Sequence, residues 1–350
     1  MNKNKMIGFT CAYTPKAIIH AAGYTPYRIL PIGNALDQAG HILHENLCSH
    51  IKRVLDRALQ NDIPELAGLV FINSCDSMRR LADAWKKVRP DHKIVMLDLP
   101  AFKNELSISY FSEELLRLVN TLSEWSGDTV SLKSINNSVK LYNELESLLD
   151  QLHVRMQSGM LKGGSEKFQT LCNLASTQPL QQTIKLLKTL VTEPEFETPA
   201  NDGVPVFLFG NVLPDPDAYS LFEKCGARIV DDDFCTGSRL FKPLQTGGPE
   251  EILKYMAKSL FLNTPCARTF DPLEPGKIAR DIINRAKACN AKGVIAYTLK
   301  FCDPYLDRLP MVRSILQDAS IPFLMLEGDC TQGSIGQQQT RIEAFIEMLR

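Results

Sequence analysis

Over the first hundred positions, short apolar runs bounded by polar and turn residues alternate with amphipathic stretches. Runs of Val, Ile, Leu and Phe predict strands near Ile7–Thr10, Tyr27–Pro31, Leu69–Asn73 and Ile94–Leu99. Helical spacing between them predicts helices at Pro15–Ala22, Asn46–Gln60 and Asp76–Lys87. Pro15 suits a first helical position, and Asp76 suits an N-cap. This alternation reads as βαβ units in a parallel sheet. From about Lys103 to Val191 the strand-like runs stop. Apolar residues recur instead at helical spacing, through Leu115–Leu122, Leu141–Leu152 and Leu180–Val191. The polar stretch Thr192–Asp202, with its two prolines, reads as a linker. The α/β pattern then resumes. Strands are predicted at Val204–Gly210, Gly293–Leu299 and Phe323–Leu326, with helices near Tyr219–Cys225, Glu250–Phe261, Pro275–Cys289 and Gln338–Leu349. The expected class is α/β, with two Rossmann-like parallel-sheet domains and a helical insertion between them. The divisions are 1–102, 103–200 (insertion and linker) and 201–350.

This layout gives the ten cysteines their meaning. Cys75 and Cys302 share one local context: an apolar strand, then Cys-Asp, then a helix. Cys11, Cys235 and Cys330 also follow apolar runs. In an open parallel sheet, ligands bind beyond the carboxyl ends of the strands. A thiol beside a helix N-terminus is expected to favour the thiolate, the form that soft metals and iron–sulfur clusters require. There is no Cys-x-x-Cys, which argues against zinc-ribbon and thioredoxin-like sites. A metallocluster would have to be assembled from distant parts of the chain, in the cleft between the two domains.

Composition narrows the field. The 350 residues are 44% hydrophobic and 23% charged, with net charge −1, as in an ordinary globular protein. No basic footprint points to nucleic acid, and no apolar run is long enough to span a bilayer. Met1–Met6 is basic, but a strand follows rather than a long apolar core, so no signal peptide is expected. A cytoplasmic setting follows, in which cysteines are packing residues or metal ligands rather than disulfides. Packing suits Cys172, Cys225 and Cys289, within or at the ends of helices. Cys266 joins Cys11, Cys235 and Cys330 in a group that either ligates or lines a pocket. His44 lies four residues before Cys48, so one helical face could carry both and offer a proton donor; a surface histidine is the plainer alternative.

Several segments together carry a family resemblance. They are Gly23–Arg28, Asn46-Leu47-Cys48, Ser74–Leu81 with its Cys75-Asp76-Ser77-Met78 core, Gly226–Asp232, Lys300–Tyr305 and Thr340–Phe345. The chain resembles the 2-hydroxyacyl-CoA dehydratase / benzoyl-CoA reductase family, most weakly across the helical insertion. The resemblance implies an anaerobic iron–sulfur lyase or oxidoreductase with a [4Fe–4S] cluster held by Cys48, Cys75 and Cys302. It implies an acyl-CoA thioester substrate, radical dehydration or reduction, and an electron delivered by a separate ATP-dependent activator protein. The chain itself has neither Gly-x-x-x-x-Gly-Lys-Ser/Thr nor Gly-x-Gly-x-x-Gly. A homo- or heterodimer with a paralogous subunit is also implied. Ser74, Ser77 and the Gly23–Arg28 segment become pocket candidates by adjacency. Arg79-Arg80, Lys86-Lys87 and Thr246-Gly247-Gly248 are candidate phosphate contacts, with a solvated surface as the alternative. Finally, Cys11-Ala12-Tyr13-Thr14-Pro15 is similar to the Cys-x-Tyr-x-Pro segment of a branch that binds a double-cubane [8Fe–9S] cluster, which would recruit further thiolates such as Cys11 and Cys330.

Overall fold

A computed structural model describes residues 5–33, 37–194, 202–263, 266–330 and 332–350. The first half contains β1 (Met6–Phe9), α1 (Lys16–Ala21), β2 (Thr25–Arg28), α2 (Ser49–Leu59), β3 (Leu66–Asn73), α3 (Asp76–Val88) and β4 (Ile94–Asp98). Four long helices follow: α4 (Glu105–Ser126), α5 (Leu132–Gln157), α6 (Gly164–Thr177) and α7 (Leu180–Thr192). The second half contains β5 (Val204–Gly210), α8 (Pro216–Lys224), β6 (Ala227–Asp233), α9 (Ile252–Asn263), α10 (Lys277–Ala288) and β7 (Gly293–Leu299). It closes with α11 (Asp303–Asp318), β8 (Phe323–Gly328), α12 (Gln332–Gly336) and α13 (Gln339–Leu349).

Two four-stranded sheets result, both wholly parallel, in the orders β2-β1-β3-β4 and β6-β5-β7-β8. Their central strands are near-continuous apolar runs because helices cover both faces. Every residue of β7 is buried. On the first sheet, α2 and α3 pack on one face with Phe71, Leu81 and Trp85 at the centre. The other face meets α1 and the long helices, where Ile7, Val70 and Ile72 join Phe111, Leu145 and Leu149. The second sheet carries α8 and α13 on one side and α10 and α11 on the other. Helix α9 packs on α4, so the two halves share core rather than merely touching.

In both sheets the strand order reverses at the second strand, between β1 and β3 and again between β5 and β7. Those two switch points are where a crevice opens at the carboxyl edge. At the second, the chains close tightly: a Cβ on Gly210 would stand 1.8 Å from the Tyr297 carbonyl oxygen, so only glycine fits.

Several local expectations shift. The strand predicted at Tyr27–Pro31 begins earlier, at Thr25, and its ladder ends at Arg28; Pro26 is tolerated because β2 is an edge strand. β6 was legible only as the apolar pair Ile229-Val230, since Asp231, Asp232 and Asp233 complete it, all buried. Asp76 is the first helical residue, not the cap; Cys75 holds the cap position, and the Asp76 carboxylate meets Arg80 at 3.4 Å. Helix α2 starts at Ser49, so His44 sits in the preceding turns and shares no helical face with Cys48. Residues 1–4, and positions 195–201 of the expected linker, lie outside the described residues.

Candidate functional site

Cys48, Cys75 and Cys302 occupy one kind of position three times over. Each is the residue before a helix, at the N-cap of α2, α3 and α11 respectively. Ser, Thr, Asp or Asn usually fill that place, because an acceptor there meets unpaired helical N–H groups. Here a cysteine occupies it, and none of the three side chains makes a capping hydrogen bond. The N–H groups of Ile51, Met78 and Tyr305, each three residues on, favour the thiolates of Cys48, Cys75 and Cys302.

The three sulfurs share one electrostatic neighbourhood. The Cys48 charge is felt at both Cys75 and Cys302, and that of Cys75 at Cys302. Two helices on the first sheet and one on the second therefore aim their N-termini at a single region. The expectation of ready thiolates fails in the free protein, because burial outweighs the helix ends. Burial pushes the Cys75 thiol up to about 11 and Cys302 to about 12, and it also raises Cys48. Among the described residues, no group of three or more His, Cys, Asp or Glu side chains is arranged to hold a single metal ion. All ten cysteines are free thiols.

Polar groups that the sequence left unmarked complete the surroundings. Asn211, one residue past β5 at the second switch point, accepts the Val212 N–H at 3.0 Å and the Leu299 N–H at 3.2 Å. Its Nδ2 is buried without a hydrogen-bond partner, and the side chain favours the Cys302 thiolate. The Ser77 hydroxyl does the same at Cys48, and Ser74 at Cys75 and Cys11. Both serines are buried, so of the adjacency candidates these two do reach the thiols. His44 does not: it is exposed, and its Nδ1 accepts the Asn46 N–H.

A second group of thiols lies alongside. Cys235 acts on Cys11 and Cys266, and Cys266 acts on Cys11 and Cys75. Arg28, the last residue of β2, is fully buried beside them. It donates to the Cys235 carbonyl at 2.5 Å, to the Cys235 Sγ at 3.0 Å and to the Thr10 carbonyl at 3.3 Å. Its Nε has no partner, and among the described residues no carboxylate pairs with it. Burial would raise the Cys235 thiol, but Arg28 and then Arg239 overcome that and hold it below its ordinary value. Cys11, by contrast, is pushed up to about 12, chiefly by burial and then by Cys235. Cys330 stands on the other side, 3.8 Å from the Ser49 hydroxyl and near Cys48. Of the Gly23–Arg28 segment, Arg28 reaches a thiol by hydrogen bond, and buried Tyr24 packs in the same hydrophobic core as Cys11. The sequence had no signal for Asn211 or Arg239, each of which bonds both a near neighbour in the chain, Val212 and Asp233 respectively, and a distant strand end, Leu299 and Gly210.

A recess of 250 Å³ is lined by the chain neighbours of Cys48 and Cys302, namely Leu47, Ser49 and Phe301, by the cations Lys52, Arg53 and Lys300, and by the carboxylates Asp37, Asp56 and Asp329. Phe301 adopts a left-handed φ of 61° and is 42% exposed, an unusual conformation that turns the chain into Cys302.

A profile of the 2-hydroxyglutaryl-CoA dehydratase D-component family matches residues 11–349. The chain belongs to that family. Three curated relatives align over nearly all of it. The (R)-phenyllactyl-CoA dehydratase beta subunit of Clostridium sporogenes is 24% identical, over 99% of this chain and 92% of the relative. One of the subunits of benzoyl-CoA reductase from Thauera aromatica is 24% identical, over 99% and 91%. The lactoyl-CoA dehydratase beta subunit of Anaerotignum propionicum is 25% identical, over 98% and 91%. Both sides of the family resemblance, dehydratase and reductase, are thus represented, and each relative is named as a subunit. No helix among the described residues is long and apolar enough to cross a membrane.

Proposed function

We propose that this protein is an iron–sulfur subunit of an enzyme that dehydrates a 2-hydroxyacyl-CoA or reduces an acyl- or aryl-CoA thioester, with Cys48, Cys75 and Cys302 as cluster ligands. The observation that carries this is the convergence of three N-cap thiols, from both sheets, on one region. The donor set fits a cluster. It consists of sulfurs only, it lies at helix N-termini, and beside it the orphan Asn211 amide is suited to a sulfur acceptor. When bound, a [4Fe–4S] cluster with three protein ligands supplies one-electron transfer and an open Lewis-acidic iron.

The chain's own residues do the rest. Burial raises the thiols, so loading the cluster releases protons, and the N3 amides with Ser74, Ser77 and Asn211 stabilise the resulting thiolates. Lys52, Arg53 and Lys300 offer individual contacts to the phosphates of an acyl-CoA at the recess, where Asp37, Asp56 and Asp329 balance their charge, and Phe301 and Leu47 narrow access by water. The electron would come from a separate ATP-dependent activator, consistent with a chain that has no P-loop. A partner subunit agrees with the relatives' names and with apolar surface on α4, where Leu106 and Tyr110, one turn apart, are 80% and 43% exposed. Anaerobic purification followed by iron and sulfide analysis tests the reading. About four irons per chain are expected, with severe loss in Cys75→Ser and Cys302→Ser. Iron content unchanged in those variants overturns it.

One observation favours a larger cluster as a second reading. Arg28 is a fully buried cation with no carboxylate partner among the described residues; its acidic neighbours are the thiols of Cys235, at 3.0 Å, and Cys172, an arrangement that asks for more negative charge. Cys11, Cys235 and Cys266 beside it would extend the donor set toward a double cubane, whereas Cys330 lies nearer Cys48. About eight irons per chain, roughly halved in Cys11→Ala, distinguish this reading from the single cubane.

A further inference from the structure

A cavity of 480 Å³ shares no lining residue with the recess beside Phe301. It is bounded by Lys103 just before α4, the segment 266–271, α10 and Arg308 of α11. Pro243, Leu262, Phe270, Ile278 and Ile282 supply apolar wall. Charged side chains are at least as numerous around it as apolar ones, so the concavity suits a small molecule with an apolar body and a charged end.

The charges around it do not cancel. Most carboxylates are already engaged. Glu274 and Asp281 lie 3.5 and 3.8 Å from the Lys277 ammonium. Asp233 is held by Arg239 at 3.0 Å and by Arg285 at 3.7 Å. Asp271 accepts the Leu273 N–H at 3.0 Å. Among the described residues, three cations line the space with no ion pair to its carboxylates: Lys103, Arg308 and Lys242, whose carboxylate neighbour Glu146 lies outside the lining. Lys103 is half-buried, and among the described residues no carboxylate is in ion-pair contact with it; its charged neighbours are Cys266, Lys277, Asp281 and Asp271. The Arg308 guanidinium lies over Phe270, 4.1 Å from the ring centroid, and among the described residues its ion-pair contact is with the exposed Asp307 at 3.2 Å. An ammonium drawn out of water without a counter-ion is costly, and an arriving anion relieves that cost.

We propose that this cavity binds a small organic anion, a carboxylate with an apolar body of about four to eight carbons. The carboxylate meets Lys103 and Arg308, and the body rests on Leu262, Ile278 and Ile282. Cys266 lines the same cavity and is within electrostatic reach of Cys11 and Cys75, so the bound molecule sits beside the thiol-rich region. The site itself does not require that a cluster be present.

Isothermal titration of the anaerobically purified full chain with hexanoate, hexanol and hexanoyl-CoA tests this, with iron measured in the same samples. Hexanoate is expected to bind about tenfold or more tightly than hexanol, because only it carries the charge. Lys103→Met is expected to weaken hexanoate by about tenfold and leave hexanol unchanged; Ile282→Trp, which fills the space, abolishes both. If Lys103→Met fails to fold, Arg308→Met makes the same comparison. Equal binding of hexanoate and hexanol, binding of hexanoyl-CoA alone, or indifference to both cation variants overturns the proposal. The iron content decides the cluster reading separately, since hexanoate binding is expected in iron-free and iron-loaded samples alike.

Discussion

At the scale of single residues, the site rests on buried charge. The Arg239 and Asp233 side chains are 1% and 4% exposed and meet at 3.0 Å. Arg239 Nη2 also donates to the Gly210 carbonyl at 2.8 Å, tying β6 to β5 just where the strands end. Removing one member strands the other's charge out of water. Arg239→Met should therefore destabilise the protein by about 3–5 kcal/mol in urea unfolding, and Arg239→Met/Asp233→Asn by clearly less than the sum of the two single changes. Strictly additive losses would mean that the pair is not coupled. None of this was legible in the sequence. A lone Arg or Asn carries no periodic signal, and its partner stands wherever the fold brings it, as Arg28 and Cys235 show. Cys75 and Cys302 were legible because strand, cysteine and helix follow one another locally, and the physics that places them is equally local.

At the scale of elements, α1 shows how the layers are locked together. Lys16, in its first turn, donates to the Leu240 carbonyl at 3.2 Å, and its ammonium lies 4.6 Å from the Phe241 ring centroid and 5.4 Å from that of Tyr142. Burial, helped by Arg28, lowers its pKa to about 7, while Cys172 pulls slightly the other way. The unfolded chain keeps the ordinary lysine value near 10.4. Between about pH 7 and 10 the unfolded state therefore binds more protons at this site, so the Lys16 contribution to stability rises with pH across that window. Below pH 7 both states are protonated and the contribution is flat. Urea midpoints of wild type minus Lys16→Met should climb from pH 7 to 9.5, and a flat or falling difference would refute the assignment. The elements that the sequence mistook have a similar origin. β6 ends in three aspartates, which read as loop until Arg285, 2.7 Å from Asp231, and Arg239 make their burial tolerable. β2 starts two residues and ends three residues before the expected strand because its edge position places few demands on side-chain pattern.

At the scale of the molecule, the proposed ligands divide between the two halves. Cys48 and Cys75 belong to helices that cover the first sheet, and Cys302 begins a helix on the second. A cluster gripped by all three would act as a cross-link between the halves, binding the native arrangement and not the unfolded chain. Loading should raise the melting midpoint by on the order of 10 °C and sharpen the transition, because the sheets must then separate and melt together. Cys302→Ser should forfeit that gain even if some iron remains on the first half, while its far-UV circular dichroism stays native, since each sheet keeps its own covering helices. The comparison is made by anaerobic calorimetry of loaded and chelator-stripped protein. Identical curves for the two would mean that whatever metal is present sits within one half, and that the convergence of the three helix ends serves packing alone.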